Sequence, residues 1–471
     1  MSDARGKTYR SWEPQHYRHE AHSPEAKLPA GALVFFRLDT VPHLDLSRFY
    51  APSEAESRGA PPFDPQMRVC LLRYAYCVGV FSSRKIAQAC ERTLAFLARV
   101  GQDRPDFRTS SDVRKLHLAA FCDVCVQVLR IAGEAGVVKL GNVSTDGTKL
   151  PGHASRHNAM RYGSMTQEGA RLREEIEALV TQACQQDAAD EAALGSRRGD
   201  EWPAELARRE DRLAPIEAAR QRLEARAKAA AEAERQRRAD AEAERQRTGT
   251  TRRGRAPQAG DETPADTAQL RVTDPALGIM QTNKKGWDDC GHAQASVDGA
   301  YQLSVACAVT AEANDTPQAA PMAEVTAAHV EQAASERPTD AAGTAQKMPA
   351  TSDSGYDSEA AAAAVEQRGF DPYMATGRQP HHAPEGEVSE PPTTATAKER
   401  MAANVRTAAG RALYARRKVI VEPVCGQSKE ARGFRRFLLR GLANLRGGWC
   451  LVCVTHHWLT LWRYTCAPIT V

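Results

Sequence analysis

Three acidic residues stand where they could hold a metal ion. Asp146 follows an apolar run at 137–143 and precedes Gly147. Asp353 follows a short strand candidate and precedes Ser354, Gly355 and Tyr356. Glu422 lies inside KVIVEPVCGQSKEARGF, an acid in a mostly apolar and basic setting. Two aspartates at strand ends and one glutamate on a helix can converge at one edge of a sheet. Such a trio can hold two Mg²⁺ ions about 4 Å apart, one activating a water or a 3′-hydroxyl and the other stabilising the leaving oxygen. Carboxylates suit Mg²⁺ because it is a hard ion that takes oxygen ligands and keeps several waters. Arg417, Lys418 and Lys429 flank the glutamate and would offset phosphate charge. Each acid also has a plainer reading. Asp146-Gly147 can be a turn, Asp353 can cap the helix that begins near Glu359, and Glu422 can pair with Arg417 or Lys418.

Bringing such residues together requires strands interleaved with helices. The valine-rich run at 137–143 reads as a buried strand entering a turn at Asp146-Gly147. Residues 295–310 alternate, and Asp298-Gly299 between two runs signals a hairpin. A helix over 321–335 tolerates Pro321 in its first turn. An alanine-rich helix follows Asp353, ending near Gln367, and FDPYMA at 370–375 reads as a further strand. From Ala397 the chain is helical again, ending in an apolar segment at 449–462. The order of strand, insertion, hairpin, helix, strand, helix, strand, helix implies a mixed α/β sheet.

The flanking segments differ in character. Residues 62–130 show apolar spacings of three and four. Ser82-Ser83 reads as a helix start and Gly101 as a stop. Short helices with Ser-rich turns fit helix-turn-helix DNA binding, and equally a structural or dimerising bundle. Residues 167–247 are dense in Ala, Glu, Arg and Gln, with AEAERQR starting at both Ala231 and Ala241. The apolar positions are too sparse for a sustained heptad seam. Pro203 and Pro215 are expected to break this helix. The segment is then an exposed antiparallel hairpin or a partner-binding coil. Residues 248–273 read as a disordered linker.

A chain of 471 residues, 42% apolar, holds two or three domains. Its net charge of +4 does not by itself indicate a nucleic-acid partner, but residues 411–446 carry ten Lys or Arg and two acidic residues. Within that segment Arg432, Arg435 and Arg436 are expected to touch phosphates, with steep salt dependence. No stretch reaches the roughly 18 apolar residues of a membrane span. The first residues lack a signal-peptide shape, so a cytoplasmic location is expected. Twelve cysteines fit reduced thiols. Cys122/Cys125 and Cys450/Cys453 each read as neighbours on a buried helix face, because a shared zinc site would have to join pairs more than 300 residues apart.

Several of these segments carry a resemblance. They include PPFDPQMRVCLLRYAYCVGVFSSRKIAQAC and FRTSSDVRKLH, VSTDGTKLPGHASRHNAM, AQASVDGAYQLSVACAVTAEAND, TSDSGYDSE, YMATGRQPHH and VEPVCGQSKEARGFRRFLLRGL. The chain resembles bacterial insertion-sequence transposases of the Asp-Asp-Glu class, whose catalytic domain is RNase H-like. The last block is the most specific. Tyr414, Arg417, Glu422 and Lys429 match that family's Tyr-Arg-Glu-Lys signature, with six residues between Glu422 and Lys429. Four residues separate Arg417 from Glu422 where three are usual, and Lys418 could share the arginine's role. The resemblance implies that Asp146, Asp353 and Glu422 bind Mg²⁺, with Mn²⁺ substituting. It implies double-stranded DNA as partner, bound at terminal inverted repeats, end cleavage and strand transfer. It also implies a homo-oligomer on the nucleoid. The DNA-contacting set would be Tyr414, Arg417, Lys418, Lys429, Arg432, Arg435 and Arg436.

The copy departs from that pattern in places. Cys290-Gly291-His292-Ala293-Gln294 stands where Gly-Tyr-Asn-Ala-Gln is usual. His457 replaces an asparagine, Asn158 a lysine and Gly278 an arginine. The expected organisation is an N-terminal helical DNA-binding domain over 1–135, the first part of the RNase H-like core over 136–166, a charged coiled-coil-like insertion over 167–247, a linker over 248–273, and the rest of the core with basic C-terminal helices over 274–471. Two other readings stay open: a transposase-derived DNA-binding protein that no longer catalyses, and an interaction scaffold built on 167–247.

Overall fold

The computed structural model describes residues 24–54, 63–101, 104–153, 159–194, 204–248, 261–272, 274, 276–282, 286–333, 347–376, 392 and 394–466. Seven helices come first: α1 Leu33–Thr40, α2 Ser47–Glu54, α3 Pro65–Cys77, α4 Ser83–Arg92, α5 Leu94–Arg99, α6 Phe107–Leu116 and α7 Leu118–Glu134. Asp64 caps α3 by accepting from the amides of Gln66 and Met67, and Pro65 fills the first helical position where no donor is needed.

The main sheet follows. Its strands are β1 Val143–Pro151, β4 Gly278–Gln281, β5 Trp287–Asp298, β6 Ser304–Thr310, β7 Met348–Ser352 and β8 Phe370–Met374. β2 Ala159–Arg161 and β3 Gln269–Arg271 form a separate two-stranded sheet. β5 runs antiparallel to β1 on one side, and β4 and β6 share its other edge. β7 pairs parallel with β1, and β8 parallel with β7. The sheet is therefore mixed. In chain order α10 Ala319–Ala333 lies between β6 and β7, and α11 Glu359–Gln367 between the parallel pair β7 and β8.

Three expectations change here. The strand does not end at Asp146-Gly147. It starts at Val143, and Asp146 pairs with Ala295 in mid-strand. Gly147 is required by space rather than by a turn. A Cβ there would meet His292 Nε2 at 2.4 Å, Gln294 Nε2 at 2.6 Å and Asp315 Oδ1 at 2.7 Å. Residues 269–271 of the expected linker form β3, while 249–260 lie outside the described residues. Pro215 does not break its helix.

The insertion folds as α8 Tyr162–Leu194 and α9 Ala204–Thr248, with Pro215 inside α9. Contacts of Tyr162 with Glu224, Glu168 with Arg212 and Glu175 with Arg209 make the pair antiparallel. Met165, Leu172, Ile216, Ala219, Leu223 and Leu270 form its own small core. Packing of Ile216 and Ala219 against α8 offsets the roughly 3 kcal/mol an interior proline costs. Pro203 lies outside the described residues.

The chain then runs through α12 Ala397–Arg406, α13 Ala408–Ala415 and α14 Arg417–Gly426, a π-helical turn Gln427–Ala431, and α15 Leu442–Thr465. α15 lies against α3, α7, β5 and β6, burying Trp449, Leu451, Val454 and Trp458. One apolar core thus spans the N-terminal helices and the sheet. Among the described residues no single helix is long and apolar enough to cross a membrane.

Candidate active site

The sheet brings two of the three acids to one edge. The parallel register of β1 and β7 ends at Thr145 opposite Ser352, and the residues that follow are Asp146 and Asp353. Asp146 Oδ1 accepts from the Gly147 amide at 2.8 Å. Asp353 Oδ1 accepts from the Gly355 amide at 2.9 Å, capping a short 3-10 turn, Ser354–Tyr356. The cap of α11 is Ser358, so the helix-cap reading of Asp353 does not hold for α11.

Glu422 arrives from α14, which packs on β1 and β5. Its carboxylate is half exposed and faces Arg417 Nη2 at 3.7 Å. Arg417 Nη1 lies 3.3 Å from Asp146 Oδ2. The largely buried guanidinium therefore stands between two members of the expected triad. The donor chemistry fits a hard divalent ion, with oxygen ligands on a shared edge. Yet among the described residues no group of three or more His, Cys, Asp or Glu side chains is set to hold a metal ion.

Burial pushes the Asp146 carboxyl up to about 6, with the charges of Asp353 and Asp315 adding to the rise and the Gly147 amide and Arg417 opposing it. Asp353 is also raised, first by burial and then by Asp315. Two desolvated acids close to a third disfavour the fully charged state. Such perturbation is a mark of functional sites.

Behind the carboxylates lies a polar network with members the sequence did not single out. Asp315 Oδ1 accepts from Gln294 Nε2 at 2.9 Å and faces His292 Nε2 at 3.2 Å. Tyr356 donates its hydroxyl to Gln294 Oε1. Burial lowers the His292 imidazole below its usual range, while Asp315 and the Glu312 carbonyl pull the other way. The ring thus stands between two acceptors, the Glu312 carbonyl 3.2 Å from Nδ1 and the Asp315 carboxylate 3.2 Å from Nε2. Nothing local marks Asp315, since Asp-Thr-Pro reads as an ordinary helix start.

The basic residues divide by orientation. Lys429, on the π-helical turn, donates to Thr148 Oγ1, two residues beyond Asp146. Tyr414 places its ring 6.0 Å from the Arg417 guanidinium, and burial raises its hydroxyl. Lys418 and Arg436 are exposed, as is Arg435, which pairs with Glu430. Arg432 does not lie on the expected surface. It is buried and donates to Val452 O at 3.1 Å, Thr455 Oγ1 at 2.8 Å and Ser428 Oγ at 2.5 Å. Its work is to tie the π-helical turn to α15.

The cysteine pairs meet, against expectation. α7 and α15 bring Cys122 Sγ to 2.6 Å from Cys450 Sγ, with Cys307 Sγ 3.3 Å from Cys450. His457 is buried beside Cys125, at 3.9 Å, and burial lowers it to about 4. Its contacts are on this helix face and not at the carboxylates. Gly278 has no room for the usual arginine, since a Cβ would come 2.2 Å from Ala311 O. Asn158 lies outside the described residues.

Residues 23–116 match the family described as Transposase domain (DUF772), covering most of the N-terminal helices. Residues 384–460 match the Transposase DDE domain family, covering Glu422 with its Tyr414, Arg417 and Lys429 neighbours. No curated protein and no solved structure matches the chain. The two matches flank the strands that carry Asp146 and Asp353, and together they indicate an insertion-sequence transposase of the Asp-Asp-Glu type.

Proposed function

We propose that this transposase binds double-stranded DNA at the ends of its insertion sequence, cleaves it with the help of Mg²⁺ or Mn²⁺, and joins the freed 3′-hydroxyl to target DNA. Asp146, Asp353 and Glu422 are the carboxylates of that reaction. The observation that carries the reading is Arg417, which joins Asp146 of β1 to Glu422 of α14 at the edge where Asp353 also ends its strand. The sheet order supports an RNase H-like core: β6, β5 and β1 antiparallel, then β7 and β8 parallel to β1.

A bound divalent ion supplies charge neutralisation at the scissile phosphate and activation of the attacking oxygen. The chain's own groups do the rest. Asp146 and Asp353 present oxygen donors fixed by backbone amides. Arg417 and Lys429 lie on the same edge as counter-charges for phosphate oxygens. Tyr414, Lys418, Arg435 and Arg436 extend this basic surface for the duplex, and two copies hold the paired ends.

The test uses the purified full chain with Mg²⁺ or Mn²⁺ and a supercoiled plasmid carrying the DNA that flanks its gene. The wild type should nick the plasmid and Asp146→Asn should not. If both bind the DNA equally and neither nicks it, the chain is a DNA-binding protein of transposase descent.

A further inference from the structure

Asp315 occupies a position that usually caps a helix. It directly precedes the 3-10 turn Thr316–Gln318 that leads into α10, yet its side chain makes no capping bond. The carboxylate turns toward the sheet instead. Its Oδ1 takes the Gln294 amide and faces His292. The same oxygen lies 2.7 Å from the point a Cβ of residue 147 would occupy, and Oδ2 lies 3.2 Å from that of residue 355. One carboxylate therefore rests against the backbone beside Asp146 and against the turn that holds Asp353. The next residue reinforces this, because Thr316 Oγ1 donates to Gly355 O at 2.7 Å.

We infer that Asp315 is a positioning residue of this metal-dependent site, acting through Asp146 and Asp353 by holding β1 and the 353–355 turn against one another. The inference rests on the Asp-Asp-Glu reading above. Simple capping does not account for the arrangement, since the cap bond is absent. Generic core packing does not either. A third negative charge set beside two buried carboxylates is unfavourable in the free protein, and a bound cation offsets it. Groups that orient ligands from behind typically change metal affinity or activity about 10–100-fold when removed.

The test measures Mn²⁺ binding by electron paramagnetic resonance on the DNA-free full chain, alongside plasmid nicking. Asp315→Ala should weaken Mn²⁺ binding by about tenfold or more. Nicking should fall with it and recover partly at high Mn²⁺, while the melting curve stays within about 2 °C of wild type. Recovery by added metal is a response that a merely structural role would not give. If Asp315→Ala does not fold, Asp315→Asn and Thr316→Val answer the same question, the first by removing charge and the second by cutting the tie to Gly355. Variants that fold and bind Mn²⁺ and nick like wild type overturn the inference. Asp146→Asn separates the two levels. If wild type itself neither binds Mn²⁺ nor nicks, the Asp-Asp-Glu reading has failed. If only Asp146→Asn is defective, the role of Asp315 has failed alone.

Discussion

Replacing Asp146 with asparagine should make the metal-free protein more stable while abolishing nicking. The fold raises this carboxyl from 3.8 to about 6. The sign follows from that direction. A folded pKa above the unfolded one means that the native state prefers the proton, so this contribution is fully present below 3.8 and is lost as pH rises through about 6. At pH 8 the ionised acid therefore costs about 3 kcal/mol, from ~1.4 kcal/mol per unit. Asparagine never ionises and escapes that cost. The attraction of Arg417 is already contained in that cost, since it opposes the rise. The net gain is about 2–3 kcal/mol. With roughly 2 cal/mol/K of unfolding entropy per residue, this is about 2–3 °C in melting temperature for a chain of this length. Scanning calorimetry in EDTA should show the gain at pH 8 and its shrinkage to about a third at pH 4.5, where the native acid is protonated and the unfolded one still largely ionised. Mg²⁺ at pH 8 should raise the wild type and leave the variant unmoved. A variant that melts at or below wild type at pH 8, or gains equally at pH 4.5, refutes the reasoning.

Gly147→Ala should destabilise by about 1–3 kcal/mol in urea unfolding, because His292 and Gln294 are buried and cannot yield to the added methyl; a change below about 0.5 kcal/mol would contradict the close approach. Arg432→Ala should cost about 3 kcal/mol by leaving its buried partners unpaired, whereas Arg435→Ala should change stability by under about 0.5 kcal/mol. In DNA binding the order reverses, with Arg435→Ala lowering the slope of log affinity against log salt by about 1, read by fluorescence anisotropy. Replacing residues 167–247 with a short Gly-Ser linker should leave the main unfolding transition in place, since α8 and α9 share a core separate from that of the sheet; loss of the transition would show that the two cores are one.

What could be read from the sequence follows the range of the interactions involved. The signature around Glu422 was legible because Tyr414, Arg417, Glu422 and Lys429 lie on consecutive helical turns, where spacing dictates position. The strands β5 and β6 announced themselves through alternation around Asp298-Gly299. Asp146-Gly147 misled because its local chemistry is that of a turn, while the glycine answers to His292, Gln294 and Asp315 well over a hundred residues away. Arg432 looked like one more surface cation, since nothing local says that the π-helical turn faces it inward. The intrinsic cost of Pro215 is local, whereas the packing across α8 that offsets it is not. Chain distance alone separates the cysteine pairs in the sequence, and a shared helix interface abolishes it.

That interface also sets an order of events during synthesis. α15 closes over α3, α7, β5 and β6, and every one of those elements leaves the ribosome before it does. Cys122 waits for a partner 328 residues later in the chain. Contacts of such sequence separation slow folding, because loop closure precedes any reward. Until α15 arrives, the apolar faces of α7 and β6 and the backbone of Gln294, which receives the Trp449 indole N–H, stand open. The nascent chain therefore passes through a long interval of exposed hydrophobic surface, the condition in which chaperones bind and aggregation competes. Translation that stops before residue 442 would yield a polypeptide with its carboxylates Asp146, Asp353 and Glu422 all present and the helix that braces their sheet missing.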